Sequence, residues 1–226
     1  MRNLKTPLEH SLTLFMHKFY IPYMILIIFL FGFSFSLNSF ANAKNWRAQD
    51  IESNTVKVWT KPIADSEFMA FKGSVMVQAS VERILEVITN QESYPEWYHN
   101  NKLTKQIKKL SSNQTINYSV IKAPWPVTYR DSVTLSTQKR LADGSIEITL
   151  KSKPNAYPLQ KDLIRIRAIS GYWKLTKIAP QITKVTLQIS AEPGGRIPSW
   201  LANSIVIDMP LYTLTNLKNR VEDSEL

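Results

Sequence analysis

Ile197-Pro198-Ser199-Trp200-Leu201-Ala202-Asn203-Ser204-Ile205-Val206-Ile207-Asp208-Met209-Pro210-Leu211-Tyr212-Thr213-Leu214-Thr215-Asn216-Leu217-Lys218-Asn219-Arg220-Val221 is the stretch on which the architecture turns. Apolar side chains recur at Trp200, Leu201, Ile205, Met209, Tyr212, Leu217 and Val221, close to the helical period. Pro198 suits a first helical turn, whereas Pro210, which has no N–H to donate, is expected to kink the helix in its middle. A helix of this length near the end of the chain has one apolar stripe to bury, and the residues before it must supply the surface.

Those residues read as strands. Ile116, Tyr118 and Val120 alternate, as do Val133 with Leu135, and Ile146, Ile148 and Leu150. Asp143-Gly144 is a hairpin turn signal, and Gly171 marks a tight connection. The segments 163–169, 172–178 and 185–189 complete an antiparallel meander. Farther upstream, Val56 with Val58 and Val75, Val77 with Ala79 mark two more strands. Ser80 is an N-cap candidate for a helix carrying Glu82 in its first turn and Val81, Ile84, Leu85 and Ile88 at helical spacing. Residues 94–98 read as a packed turn or short helix, and 45–51 as a short helix anchored by Trp46. The reading is α+β: a curved antiparallel sheet wrapped around a long C-terminal helix, the helix-grip arrangement, with an internal hydrophobic cavity between the two.

Composition narrows the chemistry. The 226 residues include no cysteine and three histidines, with 28 Lys and Arg against 18 Asp and Glu, a net charge of +10. Disulfides, thiolate metal sites and cysteine nucleophiles are thereby excluded. Residues 19–43 carry no charge; Arg2, Lys5 and Lys18 precede them and Ala41-Asn42-Ala43 ends the run, the layout of a secretory signal peptide. Cleavage after residue 43 is expected, with Met16 a possible internal start, and an uncleaved membrane anchor is the competing reading. Loss of residues 1–43 removes Arg2, Lys5, Lys18 and Glu9, leaving a 183-residue domain, 44–226, with a charge of +8. A periplasmic location follows as an expectation, and nucleic acid is not an expected partner.

Several motifs in this order carry a family resemblance. Pro124-Trp125-Pro126-Val127 followed by Tyr129-Arg130-Asp131 resembles the PWP…RD signature of bacterial START domains, the steroidogenic-acute-regulatory-related lipid-transfer family. Val77-Gln78-Ala79-Ser80, Tyr94-Pro95-Glu96-Trp97, Gly171-Tyr172-Trp173-Lys174-Leu175 and Pro193-Gly194-Gly195-Arg196-Ile197-Pro198 match in sequence order. The resemblance covers most of residues 45–221. It implies a tunnel that takes up one lipid, closed by a lid formed by the C-terminal helix and neighbouring loops, with Gly194-Gly195 and Pro210 as places for movement. Burial of each methylene would stabilise the complex by about 0.8 kcal/mol. It also implies that Arg130 projects into the cavity toward a ligand's polar end.

The residues themselves leave alternatives open. No acidic partner for Arg130 is evident at Ser119 or Val120, so it either awaits a headgroup or pairs locally with Asp131 as a strand-end ion pair. Strand parity aligns Arg130 with Ser132, Thr134 and Ser136, and Asp131 with Val133 and Leu135, which would turn Arg130 away from an apolar interior unless a bulge near Pro126 resets the register. Trp97, Tyr118, Trp125 and Trp173 are candidate wall residues, with Trp125 at the cavity mouth. Trp200, Leu201, Ile205, Met209 and Tyr212 form the candidate inner face of the lid. Lys61, Lys102, Lys105, Lys108, Lys109, Lys151 and Lys153 form a loosely basic surface that could meet anionic membrane transiently. The expected function is non-catalytic binding or transfer of one hydrophobic ligand (phospholipid, fatty acid, isoprenoid or sterol-like) by a monomer that needs no cofactor or metal. The alternative is a helix-grip enzyme, cyclase- or hydrolase-like, using His99, Arg130 and Asp131 on one cavity; no GxSxG, metal-ligand set or Gly-rich phosphate loop supports it.

Overall fold

The β-branched and aromatic segments between Arg47 and Glu192 pair into a single sheet, and the computed structural model describes residues 45–53 and 55–223 of the chain. The expected signal segment, 1–43, lies outside the described residues. Among the described residues no helix is long and apolar enough to cross a membrane.

The strands are β1 (Arg47–Ala48), β2 (Lys57–Pro62), β3 (Met69–Val77), β4 (Asn101–Lys109), β5 (Gln114–Ile121), β6 (Arg130–Arg140), β7 (Ile146–Ser152), β8 (Ile164–Ile166), β9 (Ala168–Ala179) and β10 (Ile182–Glu192). The helices are α1 (Val81–Thr89), α2 (Tyr94–Trp97) and α3 (Ser199–Glu222). Among the described residues the strand order is β1-β2-β3-β10-β9-β7-β6-β5-β4, antiparallel throughout, with β8 lying parallel to β6 off this path. The two helices between β3 and β4 carry the chain from the middle of the sheet to its far edge. From there the β4–β7 meander works back, and β10 closes against β3.

Local signals explain the element ends. Ser80 caps α1, its hydroxyl accepting from the Arg83 N–H at 3.2 Å, and Val81, Ile84, Val87 and Ile88 bury the apolar stripe. Gly144 takes a φ of 83° in the β6–β7 hairpin, a conformation that costs glycine little. The placement of α3 depends on Gly73 in the middle of β3. A Cβ there would lie 2.7 Å from Leu214 Cδ1 and 2.8 Å from Pro210 Cβ, so the absent side chain is what lets the helix rest on the strand. Pro210 sits inside α3 at that crossing. Leu214, Leu217 and Val221 are fully buried against Val75, Val77, Val185 and Leu187 in the main core.

Three expectations are corrected. Residues 45–51 do not form a helix; Arg47 and Ala48 pair with Thr60 and Trp59 as an edge strand, and Trp46 and Trp59 flank the Lys72 ammonium at 4.9 and 4.8 Å. Edge pairing supplies the backbone partners that a one-turn helix would leave unmet. The run 163–169 is two strands rather than one: Ile164–Ile166 pairs with Arg130–Ser132, and the chain then enters β9, so that Gly171 lies within a strand, opposite Ile189 and Leu150, and not at a tight connection.

Candidate functional site

Where α3 leaves the sheet, a cavity of about 420 Å³ opens between them, within the range of small-molecule sites. Its apolar half is built by Met69 and Phe71 of β3, Ile148 and Leu150 of β7, Trp173 of β9 and Ile189 of β10. Ala202, Ile205, Val206 and Met209 of α3 face them. Tyr94 and Tyr98 close one side, stacked at 5.4 Å between ring centroids, and the Tyr94 hydroxyl donates to the Ile88 carbonyl at 2.8 Å. Burial pushes the Tyr98 phenol up to about 12 and raises that of Tyr94 as well.

The other half is polar. Thr104 and Gln106 of β4, Thr115, Asn117 and Ser119 of β5, and Ser132, Thr134 and Ser136 of β6 line the same space. Their register makes them one lattice: Thr104 opposes Ser119, which opposes Ser132, and Gln106 opposes Asn117, which opposes Thr134. Irregularities in β4 between Asn101 and Leu103 and between Gln106 and Lys108 keep Asn101, Thr104, Gln106 and Lys109 all on the wall despite their uneven spacing.

Arg130 ends this lattice. Its side chain is 5% exposed, donates to the Thr128 carbonyl and to the Gly194 carbonyl at 3.3 Å, and leaves its buried Nε without a partner. Desolvation lowers its pKa from the usual guanidinium value. It does not pair with Asp131. The β5–β6 register runs unbroken from Gln114–Thr137 to Ile121–Arg130, so adjacent side chains point to opposite faces: Arg130 inward with the serines and threonines, Asp131 outward. There Asp131 takes two hydrogen bonds of 2.8 Å from Arg165 of β8, which also donates to the carbonyls of Pro154, Tyr157 and Pro158. This bidentate pair is buried on both sides, and the hydrogen bonds from Arg165 to Asp131 raise the Arg165 pKa.

Of the residues expected on the wall, Arg130, Trp173, Ile205 and Met209 line the cavity. Trp97 stands one layer behind, edge-on to Trp173 at 6.3 Å and to Tyr94 at 4.8 Å. Tyr118 lies on the outer face of the sheet, in a cluster with Val120 and Val133 covered by Tyr129, Tyr157 and Leu163. Trp125 and Trp200 are 92% and 72% exposed, Tyr212 is exposed against the His99 ring, and half-buried Leu201 is not part of the wall. His99, Arg130 and Asp131 do not share the cavity: Asp131 faces outward, and the His99 ring packs on Tyr212, where desolvation lowers its pKa. Among the basic residues, Lys105 is engaged on the outer face, its ammonium 3.2 Å from the Tyr157 hydroxyl, and Lys109 lines one end of the cavity.

The polar wall escaped the sequence reading because it alternates as regularly as a solvent-facing row would. Thr115-x-Asn117-x-Ser119 and Arg130-x-Ser132-x-Thr134-x-Ser136-x-Gln138 were the available signal.

The comparisons agree with this geometry. The START domain family model matches residues 35–215. An uncharacterised protein of Pseudomonas aeruginosa is 37% identical over 182 residues, covering 80% of this chain and 89% of its own. The crystal structure of a STAR-related lipid transfer protein from Xanthomonas axonopodis superposes with a TM-score of 0.72 at 30% identity, covering 78% of this chain and 98% of that one. Human StAR-related lipid transfer protein 5 shares the fold, with a TM-score of 0.71 at 17% identity over 80% of this chain and 88% of its own. A helix laid over a curved antiparallel sheet, a cavity beneath it and a family match across most of the chain lead to one conclusion: this protein belongs to the START domain family.

Proposed function

We propose that the protein binds a single lipid in the cavity under α3 and carries it without altering it, as a monomer exported to the periplasm. The observation that carries the reading is the cavity itself: about 420 Å³, apolar along α3, β3, β7, β9 and β10, with a buried guanidinium that has no carboxylate partner among the described residues. A 16-carbon chain moved from water into such a space gains on the order of 12 kcal/mol before ordering costs, so a water-insoluble chain is the natural occupant. An anionic group at Arg130 would supply the acceptor its Nε lacks and the counter-charge its burial calls for. Export is supported by the uncharged run 19–43 with its small-residue end.

Loading at a membrane accounts for the exposed aromatics. Trp125 follows wall residue Ala123 by two positions, and Trp200 follows wall residue Ile197 by three, while the bond from Arg130 to the Gly194 carbonyl ties the two loops together. Indole rings at a cavity mouth suit the bilayer interface.

The test is native mass spectrometry of the protein purified without detergent, followed by titration with phospholipids, fatty acids and isoprenoids. A 1:1 lipid adduct is expected, lost when Ala202→Trp fills the space beneath α3. A wild-type protein that carries no lipid and binds none of the panel would refute the proposal.

A further inference from the structure

The polar half of the cavity is unusual in what it leaves unpaired. Buried polar atoms normally find partners, yet Gln91 Oε1, Asn101 Oδ1, Asn117 Oδ1 and Arg130 Nε have none, and all four residues line this cavity. Asn101 and Asn117 are 3% and 4% exposed. Their amide nitrogens are already committed: Asn101 donates to Thr104 Oγ1 at 2.8 Å, and Asn117 donates to Ser136 Oγ at 2.9 Å and to Thr115 Oγ1 at 3.2 Å. Each amide is thus bonded through its nitrogen, and its carbonyl oxygen has no partner. Cavity-lining residues thus hold three unpaired carbonyl-type acceptors, two of them on the β4–β5 wall, and one cationic donor.

The register sets their spacing. Asn101, Ile121 and Arg130 form one cross-strand row, which puts the two polar residues about 10 Å apart at the backbone, two strand spacings. Asn117 lies four residues along β5 from Ile121, about 14 Å at the usual rise per residue. The facing surface, from α3 to β3, is apolar. Hydrocarbon cannot satisfy acceptors spread over such a distance, and a carboxylate or a bare phosphodiester offers them no proton.

Resting on the reading of the cavity as a lipid site, we propose that it selects its lipid by headgroup, taking an anionic headgroup that carries several hydroxyls and holding that headgroup inside, along the β4–β5–β6 wall. The anion meets Arg130, the hydroxyls donate to Asn101 and Asn117, and the acyl chains lie under α3. The headgroup is thus read by hydrogen bonds in a desolvated site, where a missing donor leaves a buried acceptor unmet and is strongly penalised.

The experiment compares lipids matched in charge and chains. Dioleoyl phosphatidylglycerol and dioleoyl phosphatidylinositol are titrated against dioleoyl phosphatidylmethanol, which has the same single phosphodiester charge and no hydroxyl. The hydroxylated lipids should bind at least tenfold tighter. In Asn101→Leu/Asn117→Leu that preference should fall to threefold or less, with thermal denaturation followed by circular dichroism reporting that the variant is folded. Equal affinities of the three lipids for the wild-type protein would overturn headgroup selection while leaving the lipid-carrier reading intact. So would an undiminished preference in the variant, which would mean that water alone serves the two acceptors. Failure of all three lipids, together with fatty acids and isoprenoids, would overturn the carrier reading and this inference with it.

Discussion

Arg130 and Asp131 are neighbours in sequence with opposite surroundings, and exchanging each should produce opposite losses. Asp131→Ala leaves Arg165 buried, 3% exposed at its side chain, with its charge uncompensated. Removing one partner of such a pair costs about 3–5 kcal/mol. At roughly 2–4 °C per kcal/mol for a domain of this size, the ligand-free protein should melt roughly 6–20 °C lower. Arg130→Met sets two opposed contributions against each other. It forfeits hydrogen bonds to two carbonyls, worth about 1.5–3 kcal/mol each at best, but relieves a buried cation of a desolvation penalty of several kcal/mol. The net change in stability should stay within about 2 kcal/mol of zero, while binding of anionic lipid falls at least tenfold. Thermal denaturation followed by circular dichroism on delipidated protein gives the first quantity, and native mass spectrometry of lipid occupancy gives the second. Two variants destabilised alike, or an Asp131→Ala protein that melts near wild type and loses its lipid, would refute the division of labour between inner and outer face.

Further outcomes follow from the packing and the buried phenols. Gly73→Val should displace α3 at Pro210 and Leu214 and destabilise the fold by about 1–3 kcal/mol, read from urea midpoints at an unchanged slope; an unaltered midpoint would show that the helix does not rest there. Tyr98 is pushed up to about 12 by burial, and Tyr94 is raised too, whereas both ionise near pH 10 when unfolded. Between those values the folded chain holds protons the unfolded chain has released, so stability falls as pH rises past about 10, by up to about 2.7 kcal/mol per pH unit for the two groups. Urea melts at pH 9, 10 and 11 should show this fall, and Tyr94→Phe/Tyr98→Phe should lessen it, the raised phenols of Tyr118 and Tyr172 sustaining the remainder. Trp125→Ala/Trp200→Ala should leave the melting temperature unchanged and slow lipid transfer between anionic vesicles at least threefold; an unchanged rate would remove the two indoles from membrane loading.

Much of the fold was legible because it rests on periodicity and turn chemistry. The helix 199–222, the Ser80 cap, the Asp143-Gly144 turn and the alternation of β5 to β7 are local patterns with local causes. The candidate site was legible only in part, and strands β5 and β6 show why. Tyr118, Val120 and Val133 were natural candidates for an interior, and Ser119, Ser132 and Thr134 for a surface. The assignment is reversed because residues 154–166 fold over the outer face, pinned by the Asp131–Arg165 pair, and turn that face into a second small core. Alternation tells which residues share a face; it does not tell which face is covered, or by what.

The chain's order of apolar and polar residues determined by itself that a long helix follows an antiparallel sheet, and its motifs pointed to a lipid-binding family. Tertiary structure alone decided that Arg130 faces inward without Asp131, that Tyr118 supports the outside, and that half of the cavity is a lattice of hydroxyls and amides. The reason is physical. Helices and turns are set by bonds between residues close in sequence, whereas a cavity is the space left between elements distant in sequence, and its chemistry depends on which side of each strand the rest of the chain happens to cover.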